Sequence, residues 1–336
     1  MRTGTLYIDG NDAYRQFGVS VVKGGYDDII AMPPLKKPQT NDWQEEDGIE
    51  ADLEEPVLDA REISVKFAIA GMFNRYEEFV ALLADGAYHI FNFAEIQRTY
   101  KLRLVSCPTK DDVRRLGVIT LKLADDFPMF EYQYSEPETN IRPKDDYYID
   151  NVDVAEYGVR ILEGTRKEIT AIPEVKKNLE IESDYTAGKT YAPNIVTFKS
   201  MDAKINCLIH AENLEQLWRN YDALLYNLIQ PEERELYSKE LEHTFFFYYK
   251  SCKVTSFSPK DSWLQFTLTL TLTGNIRLSA DGDFVLAAEN GDIIITEDGV
   301  YAIDMTPDRF SYPSVRLIND RKTLRFTGSG GFRFNN

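Results

Sequence analysis

At 336 residues the chain has room for two domains of ordinary size, and 43% apolar content with 20 Tyr and 19 Phe supports strand-rich packed cores and excludes a disordered polymer. A formal net charge of −17 with no basic stripe excludes a protein that grips nucleic-acid phosphate. Cys107, Cys207 and Cys252 are far apart and form no CxxC pair, Met1-Arg2-Thr3-Gly4-Thr5 does not read as an export signal, and no apolar run reaches membrane-spanning length, so synthesis in a cytoplasm without membrane insertion is expected.

The first signal along the chain is a repeat. The stretch from Phe17-Gly18-Val19-Ser20-Val21 to Ala31-Met32-Pro33-Pro34-Leu35-Lys36-Lys37 recurs 140 residues later as Tyr157-Gly158-Val159-Arg160-Ile161 to Ala171-Ile172-Pro173-Glu174-Val175-Lys176-Lys177, with eight of 21 positions identical and no gap. Residues 38–58 follow as an acidic loop with eight acids and no base. The loop reads either as a solvated hairpin or as an arm that reaches a neighbouring subunit, with Trp43 as anchor and Glu45, Glu46 and Asp47 beside it as assembly contacts. Its counterpart near 178–197 is more neutral.

Ile63-x-Val65-x-Phe67 alternates like a half-buried strand and is matched here to Ile205-x-Cys207-x-Ile209. Tyr76, Phe79, Val80 and Leu83 then mark one face of a helix, answered by Trp218, Tyr221, Asp222 and Leu225 with Leu214 and Leu217. Asn74 with Glu77, and Asn213 with Gln216, have capping-box spacing. Residues 230–242 read as an insertion in the second copy, expected to form a short helix. An aromatic strand follows each helix: Tyr100, Leu102 and Leu104 to Ser106-Cys107, then Phe245, Phe247 and Tyr249 to Ser251-Cys252. Each copy closes on an alternating strand, Ile119-x-Leu121-x-Leu123 and Phe266-x-Leu268-x-Leu270-x-Leu272.

The expected fold is therefore mainly β with α (α+β): two tandem copies of a small β-barrel or sandwich with one flanking helix, plus a short β-rich module. The expected boundaries are 1–127, a Pro-, Tyr- and acid-rich linker at 128–147, a second copy at 148–275, and a C-terminal module at 276–336. In that module, turns at Asn290-Gly291 and Asp298-Gly299 separate Val285-Leu286, Ile293-Ile294-Ile295 and Val300-Tyr301-Ala302-Ile303, and Gly328-Ser329-Gly330-Gly331 reads as a flexible end.

No catalytic constellation emerges. His89, His210 and His243 have no metal-site spacing, and structural roles are expected for His89 and His210. There is no GxSxG elbow, phosphate loop or GxGxxG before a helix. Asp125-Asp126 and Asp145-Asp146 read as turn and linker residues. Cys107 and Cys252 occupy equivalent repeat positions, which argues for packing. No catalytic residue, cofactor or metal is expected, and the chain is not expected to be an enzyme.

The opening Leu6-Tyr7-Ile8-Asp9-Gly10, then Trp43 through Asp47-Gly48, the Ile63 to Ile69 strand, the helix, and Leu121-x-Leu123-Ala124-Asp125-Asp126-Phe127-Pro128 resemble the tail-tube fold of tailed bacteriophages, as in distal tail and baseplate hub proteins. The resemblance covers about 125 residues and recurs in the second copy. Typical distal tail proteins carry one such domain, whereas hub proteins of contractile tails carry two. The resemblance implies a virion structural protein of a phage or prophage, made in the bacterial host cytoplasm. Its partners would be itself, as a homotrimer or hexamer ring, and other tail proteins. DNA would pass through the ring without being bound, which an acidic lumen favours. Two other classes stay open: a non-catalytic glycan-binding or surface-associated β-protein, and a carboxylate-based hydrolase.

Overall fold

The structure, a computed structural model of the chain, describes residues 3–70, 73–107, 117–138, 145–177, 180–182, 185, 187–191 and 197–274, and beyond these 302–304, 316–319, 322–327 and 331–335. The protein is mainly β with helices, as expected, and its sheet curls as a half-barrel. Two compact units divide the chain, Met1–Ile276 and Arg277–Asn336.

Unit one contains two seven-stranded sheets. The first uses β1 (Tyr7–Ile8), β2 (Asn11–Asp12), β3 (Val19–Val21), β6 (Arg61–Ile69), β7 (His89–Phe93), β8 (Arg98–Ser106) and β9 (Val118–Asp125), with a hairpin of β4 (Thr40–Asn41) and β5 (Glu50–Ala51) between β3 and β6. The second uses β10 (Tyr147–Ile149), β11 (Val152–Asp153), β12 (Val159–Ile161), β15 (Met201–His210), β16 (Arg234–Ser238), β17 (His243–Ser258) and β18 (Trp263–Gly274), with a hairpin of β13 (Glu180–Glu182) and β14 (Lys189–Tyr191) before β15. Numbered within each sheet, both run second, first, fifth, sixth, seventh, fourth, third. Helix Phe73–Leu83 follows β6, and helix Leu214–Leu228 follows β15.

Local chemistry explains these elements. On β18 Leu264, Phe266, Leu268, Leu270 and Leu272 are buried at every second position, as the pleat requires. Asp12 and Asp153 both cap the short helical turn after the first hairpin, accepting from the Tyr14 and Ala155 amides. Gly18 (φ 71°) and Gly158 (φ 68°) end those turns in the left-handed conformation that glycine supplies cheaply. At the longer helix Asn213 accepts from the Gln216 amide, and the Gln216 side chain reciprocates one residue further out, to the Glu212 amide. The corresponding Asn74 side chain lies outside the described residues.

Strand register relates the two sheets residue by residue. Val19 faces Ile69 as Val159 faces Ile209, and Leu35 bridges Leu58 as Val175 bridges Phe198. Thr40 pairs with Ala51 as Glu180 pairs with Tyr191. The β8–β9 ladder is irregular between Leu104 and Ser106, and β17–β18 is irregular between Tyr249 and Ser251, which keeps Cys107 and Cys252 in corresponding places.

Three expectations require correction. Val65, Phe67 and Ile69, and not Ile63, Val65 and Phe67, correspond to Ile205, Cys207 and Ile209, because a shift of two along an alternating strand preserves the buried face. Residues 230–242 are no insertion and hold no described helix: Arg234–Ser238 is a strand whose Leu236 pairs with Ile149 as Phe91 pairs with Ile8. Gln230-Pro231 ends the helical run, and Leu236 and Ser238 bury at period two. Asp125 is not a turn residue but the buried end of β9, held by Arg61 at 3.0 Å. Its neighbour Asp126 pairs with Arg103 at 2.6 Å. Asp145 belongs to the second sheet's entry, accepting from the Ile161 amide at 3.2 Å.

In unit two, β19 (Ala302–Asp304), β20 (Arg316–Asn319), β21 (Lys322–Thr327) and β22 (Gly331–Asn335) form an antiparallel meander. Gly331 therefore opens a strand. Val285-Leu286, Ile293–Ile295 and Gly328-Ser329-Gly330 lie outside the described residues.

Candidate functional site at the seam between the two sheets

The two sheets of unit one meet along a seam built by three stretches of the first half. The stretch leaving helix Asp27–Ile30 buries Met32 and brings the Met32 and Pro33 carbonyls to the Tyr249 hydroxyl, which donates to Pro33 at 2.9 Å. Next to it the Leu35 amide donates to the Lys250 carbonyl at 3.0 Å.

The acidic loop comes second. Its β4–β5 hairpin lies against the second half, where the Gly48 amide donates to Phe198 (2.8 Å) and the Ile49 amide to Thr273 (2.9 Å). In return the Phe198 amide donates to Asp47 Oδ1 at 2.8 Å. Lys176, buried apart from 3% of its surface, gives its ammonium to the Trp43 carbonyl (2.7 Å) and to Asp42 (2.6 Å). Gly48 has φ 76°, and a Cβ there would lie 1.5 Å from the Thr273 carbonyl oxygen. The hairpin can reach β18 only with glycine at this point.

The third stretch is the β7–β8 turn. Ile96 accepts from Trp218 Nε1 at 2.6 Å, and Arg98 forms a two-pronged pair with Asp222 (2.8 and 2.5 Å) while its guanidinium sits 4.4 Å above the Trp218 ring. Burial works against the Arg98 charge, and the nearby Asp222 carboxylate overcomes it, raising the guanidinium above its ordinary value. Residues 129–138 run along helix Leu214–Leu228: Tyr134 packs at a tilt against Tyr226 with ring centres 4.4 Å apart, and Asn220 exchanges two 2.8 Å hydrogen bonds with Glu138.

These stretches enclose a cleft of about 550 Å³ lined by Met32, Arg61, Arg98, Tyr132, Tyr221 and Asp222. Its inner charges are committed to each other, Arg98 to Asp222, and Arg61 to Asp125 and to the Ile29 and Ala31 carbonyls. Burial pushes the Cys252 thiol up to about 11 and raises Cys207 as well, so both stay protonated near neutral pH. His89 is buried between Asp9 (2.6 Å) and Asp85 (3.2 Å). Among the described residues no group of three or more His, Cys, Asp or Glu is placed to hold a metal, and no helix is long and apolar enough to cross a membrane.

Of the residues singled out from sequence, Trp43 is 53% exposed and its indole N–H is tied across the hairpin to Glu50 at 3.0 Å. Glu45 and Glu46 face solvent, and Asp47 is half-buried at the seam. The hairpin contacts described here join it to the second half of its own chain. Arg98, Asp222, Trp218 and Lys176 were not singled out as contacts. Arg98 and Asp222 are 124 positions apart and have no local signature. Asp222 on an otherwise apolar helical face was the one available sign.

No protein-family model matches the chain, and no curated protein matches it.

Proposed function

We propose that this chain is a structural protein of a phage or prophage tail, of the distal tail or baseplate hub kind, in which two tandem copies of one tube-like domain form part of a ring around the DNA channel. The carrying observation is that two sheets of identical strand order pack head to tail, the first half's 31–53 stretch lying on β17 and β18 of the second. A head-to-tail contact is heterologous, and repeated with a rotation it closes into a ring. The strand-by-strand register favours duplication over chance likeness, since it covers a paired irregularity and two left-handed glycines. The ring uses no catalysis or cofactor. A net charge of −17 on each chain keeps DNA from adhering as it passes.

Imaging of tail particles with an antibody against the full chain tests the reading. Label at the tail tip is expected, and absence from every tail particle would overturn the functional assignment.

A further inference from the structure

Within unit one, the first half presents the second with a matched face, and the second half carries the same face with no described residue of the first half lying on Ile172 or Val175. Met32 is 3% exposed because β17 covers it, whereas Ile172, at the corresponding position, is 87% exposed. Val175, which corresponds to Leu35, is 48% exposed. Gly188 corresponds to Gly48 through the hairpin register and has the same left-handed backbone, φ 87° against 76°. The Cβ position of Gly48 falls 1.5 Å from Thr273, while that of Gly188 has nothing within 4 Å. A glycine that the fold needs at position 48 for close approach is thus repeated at 188, where no described residue comes within 4 Å of its Cβ position.

The receiving face is likewise duplicated. Lys250, whose carbonyl accepts from Leu35, corresponds to Val105 through the shared β-ladder irregularity, and Val105 is 38% exposed. Lys176 is buried by the acidic hairpin, whereas Lys36, at the corresponding position, is exposed. At the hairpin, Glu182 stands at the register position of Asp42, the carboxylate that holds Lys176.

We propose that Ile172, Val175 and Gly188 of one chain dock on the β8–β9 face of a second copy, at Val105 and Lys36, repeating between chains the contact that Met32, Leu35 and Gly48 make on β17 and β18 within the chain. The occupant is a second copy because this surface already fits that fold: the internal seam is its template. The interface is heterologous, since each chain offers one face and receives on the other, and it leaves no free end only when a ring closes. This inference deepens the ring reading and rests on it.

The test uses the full-length chain with Cys107→Ser, which removes an exposed thiol beside the site. Val105→Cys and Val175→Cys are introduced separately and together. The double variant is expected to give intermolecular disulfides under mild oxidation at high protein concentration, building a ladder that ends at a closed species, and neither single variant should give that ladder. Ile172→Asp, at a site exposed in the single chain, should leave the circular dichroism spectrum and melting unchanged and weaken self-association at least tenfold by mass photometry. No cross-link above the single-cysteine controls, or unchanged association of Ile172→Asp, would overturn this docking. Rings that form without the 105–175 link would overturn this interface while leaving the tail reading intact. Absence from tails with the link present would do the reverse.

Discussion

Asp9 and Asp150 stand in left-handed turns, at φ 48° and 49°, between the first two strands of their sheets. Each accepts the backbone amide of the neighbouring strand, Ile90 at 2.8 Å and Glu235 at 3.0 Å, and each holds a basic side chain one residue earlier. That side chain is His89 in the first sheet and Arg234 in the second, and a residue at the end of the long helix supplies a further acceptor, Asp85 or Asn227. The two arrangements differ in their response to pH. Burial opposes protonation of His89, but Asp9 and Asp85 outweigh it, so its folded-state value lies above the ordinary 6.5. Its stabilising contribution is therefore complete below about pH 6.5 and is lost as pH rises through the raised folded value. Urea midpoints should fall over that window in the parent chain, and His89→Arg should flatten the fall because arginine stays charged. The Arg98–Asp222 pair makes a different prediction. Arg98→Ala strands a carboxylate at the seam and should cost about 3 kcal/mol in urea unfolding, whereas Arg98→Met with Asp222→Leu should cost far less. Equal losses would mean that Arg98 acts by packing on Trp218 alone.

At the scale of elements, the β4–β5 and β13–β14 hairpins share one register and differ in surroundings. Gly48→Ala should lift the first hairpin from β18, which hydrogen exchange reads as lost protection of the Ile49 amide. Gly188→Ala has open space and should cost only the left-handed penalty of about 1–2 kcal/mol. Similar exchange behaviour in the two variants would show that the Thr273 contact does not hold the hairpin. What was legible in the sequence follows the same division by range. The alternation of Phe266 to Leu272 and the Asn213–Gln216 cap are local patterns, so they were readable. The two-residue slip at Ile63 was not visible, because period-two burial is unchanged by a shift of two. Strand Arg234–Ser238 is hard to read because its five residues follow a helix and a proline and one of its partners, Tyr147–Ile149, is distant in sequence, although the other, His243–Phe247, is joined to it by a hairpin. The acidic loop stands out by charge as a solvated hairpin or an arm to a neighbouring subunit, but charge alone does not say that Lys176 of the same chain receives Asp42.

At the scale of the whole molecule, the proposed ring has to count its chains. Each chain brings two sheets and one internal seam, so a ring level with six sheets needs three chains and makes three internal and three external seams. The internal seams carry an acidic hairpin on Lys176, and the external ones would set the β13–β14 hairpin beside Lys36. Alternation of two seam types requires three-fold symmetry, with six-fold symmetry only in the approximate sense that the sheets superpose. The rival geometry places six chains in two stacked levels, with the two sheets of a chain at different heights. The internal seam bears on this choice: Leu35 to Lys250, Gly48 to Phe198 and Arg98 to Asp222 bind the two halves along several separate elements, which favours a rigid pair over two domains free to take separate levels. Imaging of the assembled particle with three-fold averaging should resolve two unlike sheets alternating at one height, three of each. Six identical densities per level, each one chain, would remove the trimer and require the internal seam to run along the channel axis.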